Sequence, residues 1–500
     1  MLDFGALQEG LFLLFNVNTA VFLVLGVFLG IFAGAIPGLT TTTAIAILVP
    51  LTYAMGAMDA LVFLACIYVA AMFGGSITAI LINTPGTPAA ASTAFDGYPM
   101  AKRGEAERAL GLALGSSVIG GTFSYVFLLL AMWPIAYFAI RFGPPEMFLL
   151  ALMGLSIIAG LGKGSFWKAF LAGLFGILIS TFGIAPTGMI RPHFGTPWML
   201  NGVPQIATMI GLLAFSELLS ILNDKPSSKP EEDTSKHKSM ELIKGVAEPL
   251  KYRKTTIISC LIGTFIGALP AAGASIAAFI SYNQVKQTSK NPETFGTGNP
   301  EGVVAPEIAN SASTGGALAT TLAFGIPGSS AVAVLMSAMM LHGMIPGPRL
   351  FIDQMPIIYA LIIALFISQV LMIVLGVFFC KTMSNIINVP PNILAPTIAV
   401  LCVIGSFALR TSFFDVGIMI AFGVVGYFMK KSDYPVFATV LGLVLGQMAD
   451  NNLIRTAIRF RSDFSVFFTR PISLALVILT VIMVSYPFIM HQIKKRKKQA

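Results

Sequence analysis

Long apolar runs constrain the fold of this chain more than any other feature. Four of them, residues 11–34, 109–132, 357–380 and 472–490, are close to the ~20 residues that an α-helix needs to cross a ~30 Å hydrocarbon core. Only 11% of the residues are charged, whereas a soluble domain has about a quarter. The sequence therefore predicts an all-α polytopic membrane protein with roughly 10–14 transmembrane or re-entrant segments.

The net charge of +9 arises mainly in segments between and after the apolar runs, at 102–108, 225–254, 430–431 and 494–498. The positive-inside rule places such segments in the cytoplasm, which explains the charge without any nucleic-acid partner. No basic residue precedes the first apolar run, so we expect this run to remain as a membrane span and not to be cleaved as a signal peptide.

A polar segment rich in Lys, Glu, Ser and Pro divides the chain. We predict an N-terminal transmembrane repeat over 1–223, a cytoplasmic linker over 224–254, and a C-terminal transmembrane repeat with a tail over 255–500. The halves share sequence motifs. Residues 30–37 read GIFAGAIP and residues 263–270 read GTFIGALP.

A second pair of motifs follows in the same order. Residues 74–86 resemble residues 315–328, with one residue inserted in the second copy. The N-terminus before the first span carries no Lys or Arg, whereas the second half follows the Lys-rich linker. These loop charges predict that the repeats are inverted, although Lys286 and Lys290 oppose that assignment.

Proline and glycine interrupt four apolar segments that also carry hydroxyl or amide side chains. A helix that restarts after a break points free N–H groups and its positive dipole end at an anion, and a helix that stops there offers carbonyls to a cation. The predicted substrate-binding residues are Thr40, Thr41, Thr42, Asn83, Thr84, Gly86, Thr87, Asn310, Ser313, Gly328, Ser329 and Ser330. The predicted ion-coupling residues, with Na⁺ as the possible metal ion at the broken segments, are Pro37, Gly38, Ser76, Glu307, Gly325 and Pro327.

Other polar and small residues receive a structural interpretation. The glycines at four-residue spacing, 26–30–34 and 263–267, are predicted to let helices approach closely. Asp450 is expected to pair with Arg455 at a membrane boundary, and Asp96 to lie in a turn. Glu307 is open to two interpretations, because it could bind a cation or proton, or could cap a helix or pair with a lysine.

The sequence gives little support to an enzyme. The four cysteines and four histidines are scattered, without metal-ligand spacing, and we expect the cysteines to be structural thiols. A phosphate-binding loop motif is also missing, which argues against ATP hydrolysis. We therefore expect no cofactor apart from a coupling ion.

Taken together, these motifs resemble the large membrane subunit of the tripartite tricarboxylate transporters. The resemblance covers almost the whole chain. It is carried by the segments 34–39, 72–80, 83–86, 95–101, 302–310, 324–329, 342–348, 450–453 and 470–473. The chain departs from the usual family pattern at Thr40–Thr43, at Thr87-Pro88 and at Ser311, which leaves the identity of the substrate open.

The resemblance implies a multi-pass protein of the bacterial cytoplasmic membrane that imports di- or tricarboxylates with a cation. It also implies two partners, a small four-span membrane subunit and a periplasmic binding protein. Family-level analogy favours elevator-like alternating access. Two alternatives remain at this stage: an ion or carboxylate channel, and a carboxylate transporter that works alone. The hydroxyl-rich breaks favour Na⁺ as the coupling ion, whereas Glu307 leaves room for a proton.

Overall fold

The computed structural model describes residues 4–37, 39–139, 141–161, 166–185, 187–193, 195–223, 239–270, 272–382 and 391–482. These residues form α-helices joined by turns and short loops, and the one β-bridge among them pairs Ile184 with Ile190. The prediction of an all-α polytopic membrane protein is confirmed.

The helices of the first half are α1 (Phe4–Leu14), α2 (Val17–Gly34), α3 (Thr41–Leu48), α4 (Ala57–Ile82), α5 (Ala91–Met100), α6 (Ala106–Ala139), α7 (Pro144–Leu161), α8 (Phe166–Ser180), α9 (Gln205–Ile210) and α10 (Ser216–Asn223). Five-residue π-turns connect α5 to α6 and α9 to α10. Within the first of them Gly104 has a φ of 81°, which a residue with a side chain rarely adopts.

The helices of the second half are α11 (Ser239–Ala247), α12 (Arg253–Ala268), α13 (Gly273–Thr288), α14 (Pro300–Phe324), α15 (Ser330–Leu341), α16 (Leu350–Asp353), α17 (Met355–Thr382), α18 (Pro391–Arg410), α19 (Phe413–Lys431), α20 (Val436–Arg459), α21 (Val466–Thr469) and α22 (Pro471–Ile482). The predicted linker 224–254 contains α11, which packs against α6 where Gly245 meets Gly111.

Within the described residues, five helical segments are long and apolar enough to cross a membrane. They are Val17–Gly34, Ala57–Ile82, Pro88–Met132, Met355–Thr382 and Phe413–Lys431. Other apolar helices are shorter because the chain breaks them; α3 has 8 residues and α15 has 12. At 1.5 Å per residue, neither spans the hydrocarbon core alone.

The apolar run 11–34 contains a candidate membrane span, as expected, but the helix of that span is Val17–Gly34 and begins six residues after the start of the run. Helix α1 ends at Leu14, and the side chain of Asn16 accepts a hydrogen bond from the backbone N–H of Asn18 at 3.1 Å and so caps α2. A side chain that caps the next helix stops the first one even where the flanking sequence is apolar.

The glycine series pack helices together as predicted. Gly26, Gly30 and Gly34 of α2 lie against α4, and Gly263 and Gly267 of α12 lie against α14. A Cβ at any of these positions would overlap the backbone of the neighbouring helix. The small residues therefore set a close helix–helix approach in both halves.

The two halves use the same contacts at their helix breaks. Gly74 packs on the α2 backbone at Gly34, and Gly316 packs on the α12 backbone at Gly267. This equivalence pairs Gly74 with Gly316 and not with Gly315, and it removes the one-residue insertion predicted from the sequence. The correct register follows from which glycine faces the neighbouring helix, a fact that letter matching does not contain.

The same register continues through the loops that follow. Gly86 lies twelve residues after Gly74 and rests on Gly34, and Gly328 lies twelve residues after Gly316 and rests on Gly267. The equivalent helices also end alike, since α4 and α14 both stop at a residue in the left-handed conformation, with φ of 54° and 67°.

Helices α2 and α4 run parallel to each other, and so do α12 and α14. Contacts between α4 and α14 run in the opposite sense: Ser76 meets Glu307, whereas Met72, four residues earlier, meets Asn310. Helix α4 is thus antiparallel to α14. This arrangement agrees with inverted repeats, and the inversion relative to a membrane stays a prediction.

Candidate functional site

The N-termini of α3 and α15, one from each half of the chain, meet directly. The hydroxyl groups of Thr42 and Ser330 share a hydrogen bond of 2.7 Å, although the residues are 288 positions apart in sequence. Each helix starts with a side-chain cap. Thr40 accepts from the N–H of Thr43 at 3.2 Å, and Ser329 accepts from the N–H of residue 332 at 3.3 Å. The hydroxyl-rich segments predicted separately in the two halves therefore meet at one place in the fold.

The chemistry of this junction suits an anion. Both helices direct the positive ends of their dipoles and their unpaired first-turn N–H groups towards the same region. The hydroxyls of Thr41, Thr42 and Ser330 supply further donors without a charged side chain. Two helix N-termini and three hydroxyl groups could together hold a carboxylate.

The aromatic residue Tyr68 also belongs to this junction, although it is not among the residues predicted from the sequence. Its side chain is buried in α4, and its hydroxyl group lies near Ser329. In the repeat register, Tyr68 corresponds to Asn310 of α14. A tyrosine within an apolar run gives no signal of its own, because the same residue is common in a packed core.

The carboxylate of Glu307 lies at the centre of a second polar cluster. Ser76 of α4 donates to its Oε1 atom at 2.5 Å, Thr93 of α5 donates to the same atom, and Ser117 of α6 donates to Oε2 at 3.0 Å. Glu307 and the three hydroxyl residues are all buried. We call these four residues the Glu307 cluster.

No ion pair in the described part of the chain involves Glu307. The structural interpretation of Glu307, as a helix cap or the partner of a lysine, is not observed. Glu307 lies inside α14, and its hydrogen-bond partners are hydroxyl groups. A buried carboxylate without a cationic partner is costly unless a cation or a proton neutralises it. The cluster can therefore bind Na⁺ through oxygen atoms or carry a proton. Thr93 and Ser117 were not predicted from the sequence, since hydroxyl residues among small residues usually serve close helix packing.

Two further buried polar atoms lack a protein partner. The Asn310 side chain donates from Nδ2 to the carbonyl of Met72 at 3.4 Å, but its Oδ1 atom accepts no hydrogen bond. The Thr87 hydroxyl, which lies against Gly75, is also unpaired. One oxygen atom lies inside α14 and the other in the loop between α4 and α5, and oxygen is the ligand type that hard cations take.

The remaining predicted residues have local roles at the breaks. Asn83 and Gly325 are the left-handed residues that end α4 and α14, and Thr84 donates to the carbonyl of Ile82 at 3.2 Å. Ser313 donates to the carbonyl of Asn310 at 2.7 Å, but both residues lie inside α14, which is continuous from Pro300 to Phe324. The interruption predicted around these two residues is therefore not observed, because the glycines that follow them pack on neighbouring helices without ending the helix. The closely packed positions in the loops are Gly86 and Gly328. Pro37 and Pro327 lie in the loops between the broken helices. Gly38 lies outside the described residues.

Two structural expectations were wrong. Asp450 pairs with Arg191 through two hydrogen bonds of 2.7 and 2.9 Å, and not with Arg455. Asp96 lies inside α5 and not in a turn. Its Oδ1 accepts from three backbone N–H groups of residues 296–299 at 2.8–2.9 Å, and its Oδ2 accepts from the hydroxyl of Tyr282. Asp96 therefore fixes the loop that leads into α14.

The chain is similar in sequence to a known protein family over most of its length. The family model described as "Tripartite tricarboxylate transporter TctA family" matches residues 20–441. A protein of Agrobacterium vitis, described as an uncharacterized 52.8 kDa protein in the TAR-I ttuC' 3' region, is 33% identical over 452 residues, which cover 90% of this chain and 89% of the relative.

A second protein of Agrobacterium vitis, described as an uncharacterized protein in the TAR-II ttuC' 3' region, is 32% identical over 222 residues. That match covers 44% of this chain and 92% of the relative. No solved structure matches this chain at a significant level.

Proposed function

The chain belongs to the tripartite tricarboxylate transporter TctA family, and on that premise we propose that it is the large transport subunit of a secondary transporter that imports di- or tricarboxylates by Na⁺ symport. We assign it to the bacterial cytoplasmic membrane. A small four-span membrane subunit and a periplasmic solute-binding protein act as its partners.

The observation that carries this proposal is the hydrogen bond between Thr42 and Ser330. It joins the N-termini of two broken helices from the two halves of the chain, where their dipoles favour the same anion. A carboxylate group of the substrate binds between these N-termini and replaces the hydroxyl–hydroxyl contact. A site of this kind needs no arginine, which agrees with the apolar surroundings.

Ion coupling is assigned to the Glu307 cluster together with the unpaired oxygen atom of Asn310. Glu307 and Asn310 both lie on α14. The cation that neutralises Glu307 compensates part of the negative charge that the substrate brings. Asn310 is three residues, less than one helical turn, from Glu307. Binding of the cation and of the carboxylate therefore favour each other.

A specific observation also supports proton coupling as a second candidate. The three groups that contact the Glu307 carboxylate are hydroxyls, which can donate to a carboxylate or accept from a carboxylic acid. The cluster accommodates a protonated glutamic acid without any change in its partners. Coupling by protons then replaces coupling by Na⁺, and the carrier is otherwise the same.

Alternating access in this proposal is elevator-like. The helices that carry the breaks, α2 to α5 and α12 to α15, move as one unit against the remaining helices. Helix α6 moves with them, because its Ser117 bonds Glu307 and its Gly120 packs on the α14 backbone. Their close glycine contacts within each half support movement as a rigid body.

Uptake by proteoliposomes tests the proposal. The chain and its small partner are reconstituted, and uptake of radiolabelled di- and tricarboxylates is measured with and without the binding protein and an inward Na⁺ gradient. Accumulation that requires both is the expected result. Accumulation driven by a pH gradient alone favours the proton, and equilibration that ignores every gradient contradicts the carrier and favours a channel.

Two variants test the anion site itself. Thr42→Val and Ser330→Ala each remove one hydroxyl donor to a charged group, which contributes about 1.5–3 kcal/mol, so KM for the carboxylate should rise about tenfold or more. The control is Ser156→Ala, since Ser156 donates only to a carbonyl of its own helix at 2.7 Å. Equal effects at the three positions would remove the support for this site.

A further inference from the structure

A cavity of about 580 Å³ lies between the loop that precedes α9 and helices α8, α15 and α20. Two arginines, Arg191 and Arg410, line it together with their carboxylate partners Asp450 and Asp415. We call it the arginine cavity. None of its charged residues belongs to the two clusters at the helix breaks.

Both arginines hold their aspartates in a fork geometry. Arg191 uses Nη1 and Nη2 on Asp450 at 2.7 and 2.9 Å, and Arg410 uses Nε and Nη2 on Asp415 at 2.8 and 2.6 Å. Each guanidinium group has five N–H donors, so two donors engage the aspartate and three remain for another oxygen-rich group. The arginine side chains also remain partly exposed, by 23% and 39%.

The polar amide groups around the arginines match the same type of ligand. Asn201, Gln205, Gln447 and Asn451 line the cavity, and each offers an amide N–H₂ group. A cavity of this volume accommodates a small molecule with two or three carboxylate groups.

Helix α15 connects the arginine cavity to the proposed anion site. Its first residue is Ser330, and its later residues Ser337, Met340 and Leu341 line the cavity. Ser337 lies two helical turns, about 10 Å, from Ser330. A ligand held by the arginines therefore contacts the same helix, α15, whose N-terminus forms part of the proposed anion site.

We propose that the arginine cavity is an entry site that binds di- and tricarboxylates before they reach the helix breaks. One carboxylate group contacts Arg191 and another contacts Arg410, so the site favours polyvalent over monovalent carboxylates. The aspartates hold the guanidinium groups in place. Their negative charge also weakens the attraction between the guanidinium groups and the carboxylate ligand enough to let the ligand leave. This inference rests on the proposed function. The arginine cavity differs from the anion site at Thr42 and Ser330, because binding in the cavity needs no Na⁺.

Equilibrium binding of carboxylates separates the two sites. It is measured in Na⁺-free choline buffer on the chain reconstituted with its small membrane partner, without the binding protein. The probes are radiolabelled citrate and succinate, with acetate as the monovalent control. Arg410→Lys keeps the charge but loses the fork, so we expect Kd for citrate to rise about tenfold. The matched control is Arg470→Lys. Arg470 is similarly exposed and binds Glu146 at 2.6 Å, but it does not line the cavity.

Asp450→Asn gives the opposite sign. It removes the negative charge that competes for Arg191, and the Arg191 side chain is 23% exposed, so the charge that loses its partner remains in contact with solvent. We expect citrate to bind several-fold more tightly in this variant. A thermal unfolding curve for each variant identifies any that fails to fold.

Three results overturn the entry site: equal Kd changes for Arg410→Lys and Arg470→Lys, an unchanged Kd in Arg410→Lys, or weaker binding in Asp450→Asn with unchanged stability. Failure of the proposed function appears differently, as wild-type protein that binds citrate without Na⁺ but never accumulates it under any gradient. Wild-type accumulation together with unaltered binding in the cavity variants overturns the entry site alone.

Discussion

Replacement of Glu307 by glutamine removes one buried negative charge and preserves the shape of the side chain. The three hydroxyl groups of the Glu307 cluster keep an amide oxygen or nitrogen as a partner, because a hydroxyl can donate or accept. The loss of charge-assisted hydrogen bonds is offset by the relief of burying a charge. We therefore expect Glu307→Gln to fold with near wild-type stability.

The effect on ion binding should be much larger. A cation about 4 Å from the carboxylate gains about 4 kcal/mol at an effective dielectric constant near 20, and desolvation removes part of that gain. If half remains, the variant loses about 2 kcal/mol, and the Na⁺ concentration for half-maximal uptake rises roughly 30-fold. Glu307→Ala should differ, since it leaves three buried hydroxyls unpaired at about 1–3 kcal/mol each and destabilises the fold.

Two measurements check this prediction: uptake as a function of Na⁺, and the rise of the unfolding temperature with Na⁺ in detergent, which reports binding to the folded state. Glu146→Gln is the matched control, because Glu146 is equally buried but already pairs with Arg470 and Ser473. The control should lose stability without a change in Na⁺ half-saturation. Wild-type Na⁺ dependence in Glu307→Gln would refute the assignment and leave the cluster as a structural hydrogen-bond network.

Three further predictions concern the fold. Gly34→Ala places a methyl group on the backbone of α4 and should destabilise the protein by about 1–3 kcal/mol in chemical unfolding, whereas Gly417→Ala, which has open space in α19, should be neutral or slightly stabilising. Asp96→Ala should cost about 3 kcal/mol or more in the same assay, because three backbone N–H groups lose their acceptor, and Asp96→Asn should recover much of that loss. The hydrogen bond from Arg108 holds the pKa of Glu248 below its usual value. This pair therefore stabilises the fold fully above about pH 4.3, and its contribution is lost as the pH falls through the lowered pKa. The thermal unfolding temperature of Glu248→Gln should accordingly depend less on pH in the acid range than that of the wild type.

The ion pair of Asp450 shows which kind of contact could not be predicted from the sequence. Asp450 and Arg455 are five residues apart on α20, where side chains at that spacing point about 140° apart around the helix axis. Nearness in sequence therefore suggested a pair that helix geometry disfavours. The observed partner, Arg191, lies 259 residues away.

The polar clusters show the same limit. Glu307 was recognisable because an acidic residue in an apolar segment is costly. Its three partners come from three different helices, and only Ser76 was predicted from the sequence. Thr93 and Ser117 stand among small residues, in a pattern that usually means close helix packing. Letter matching likewise found the repeats but placed an insertion that the glycine contacts remove.

The sequence by itself determined that this chain is a multi-pass membrane protein and which family it belongs to. It also located the helix breaks near residues 37, 85 and 327, but not the one at residue 15. These properties depend on the length of apolar runs, on proline and glycine, and on the order of short motifs, and all of them are local in the chain. Only the tertiary structure decided which helix ends face each other, that Thr42 meets Ser330, and that two arginines share one cavity. Such contacts join residues hundreds of positions apart, and they depend on how whole helices pack.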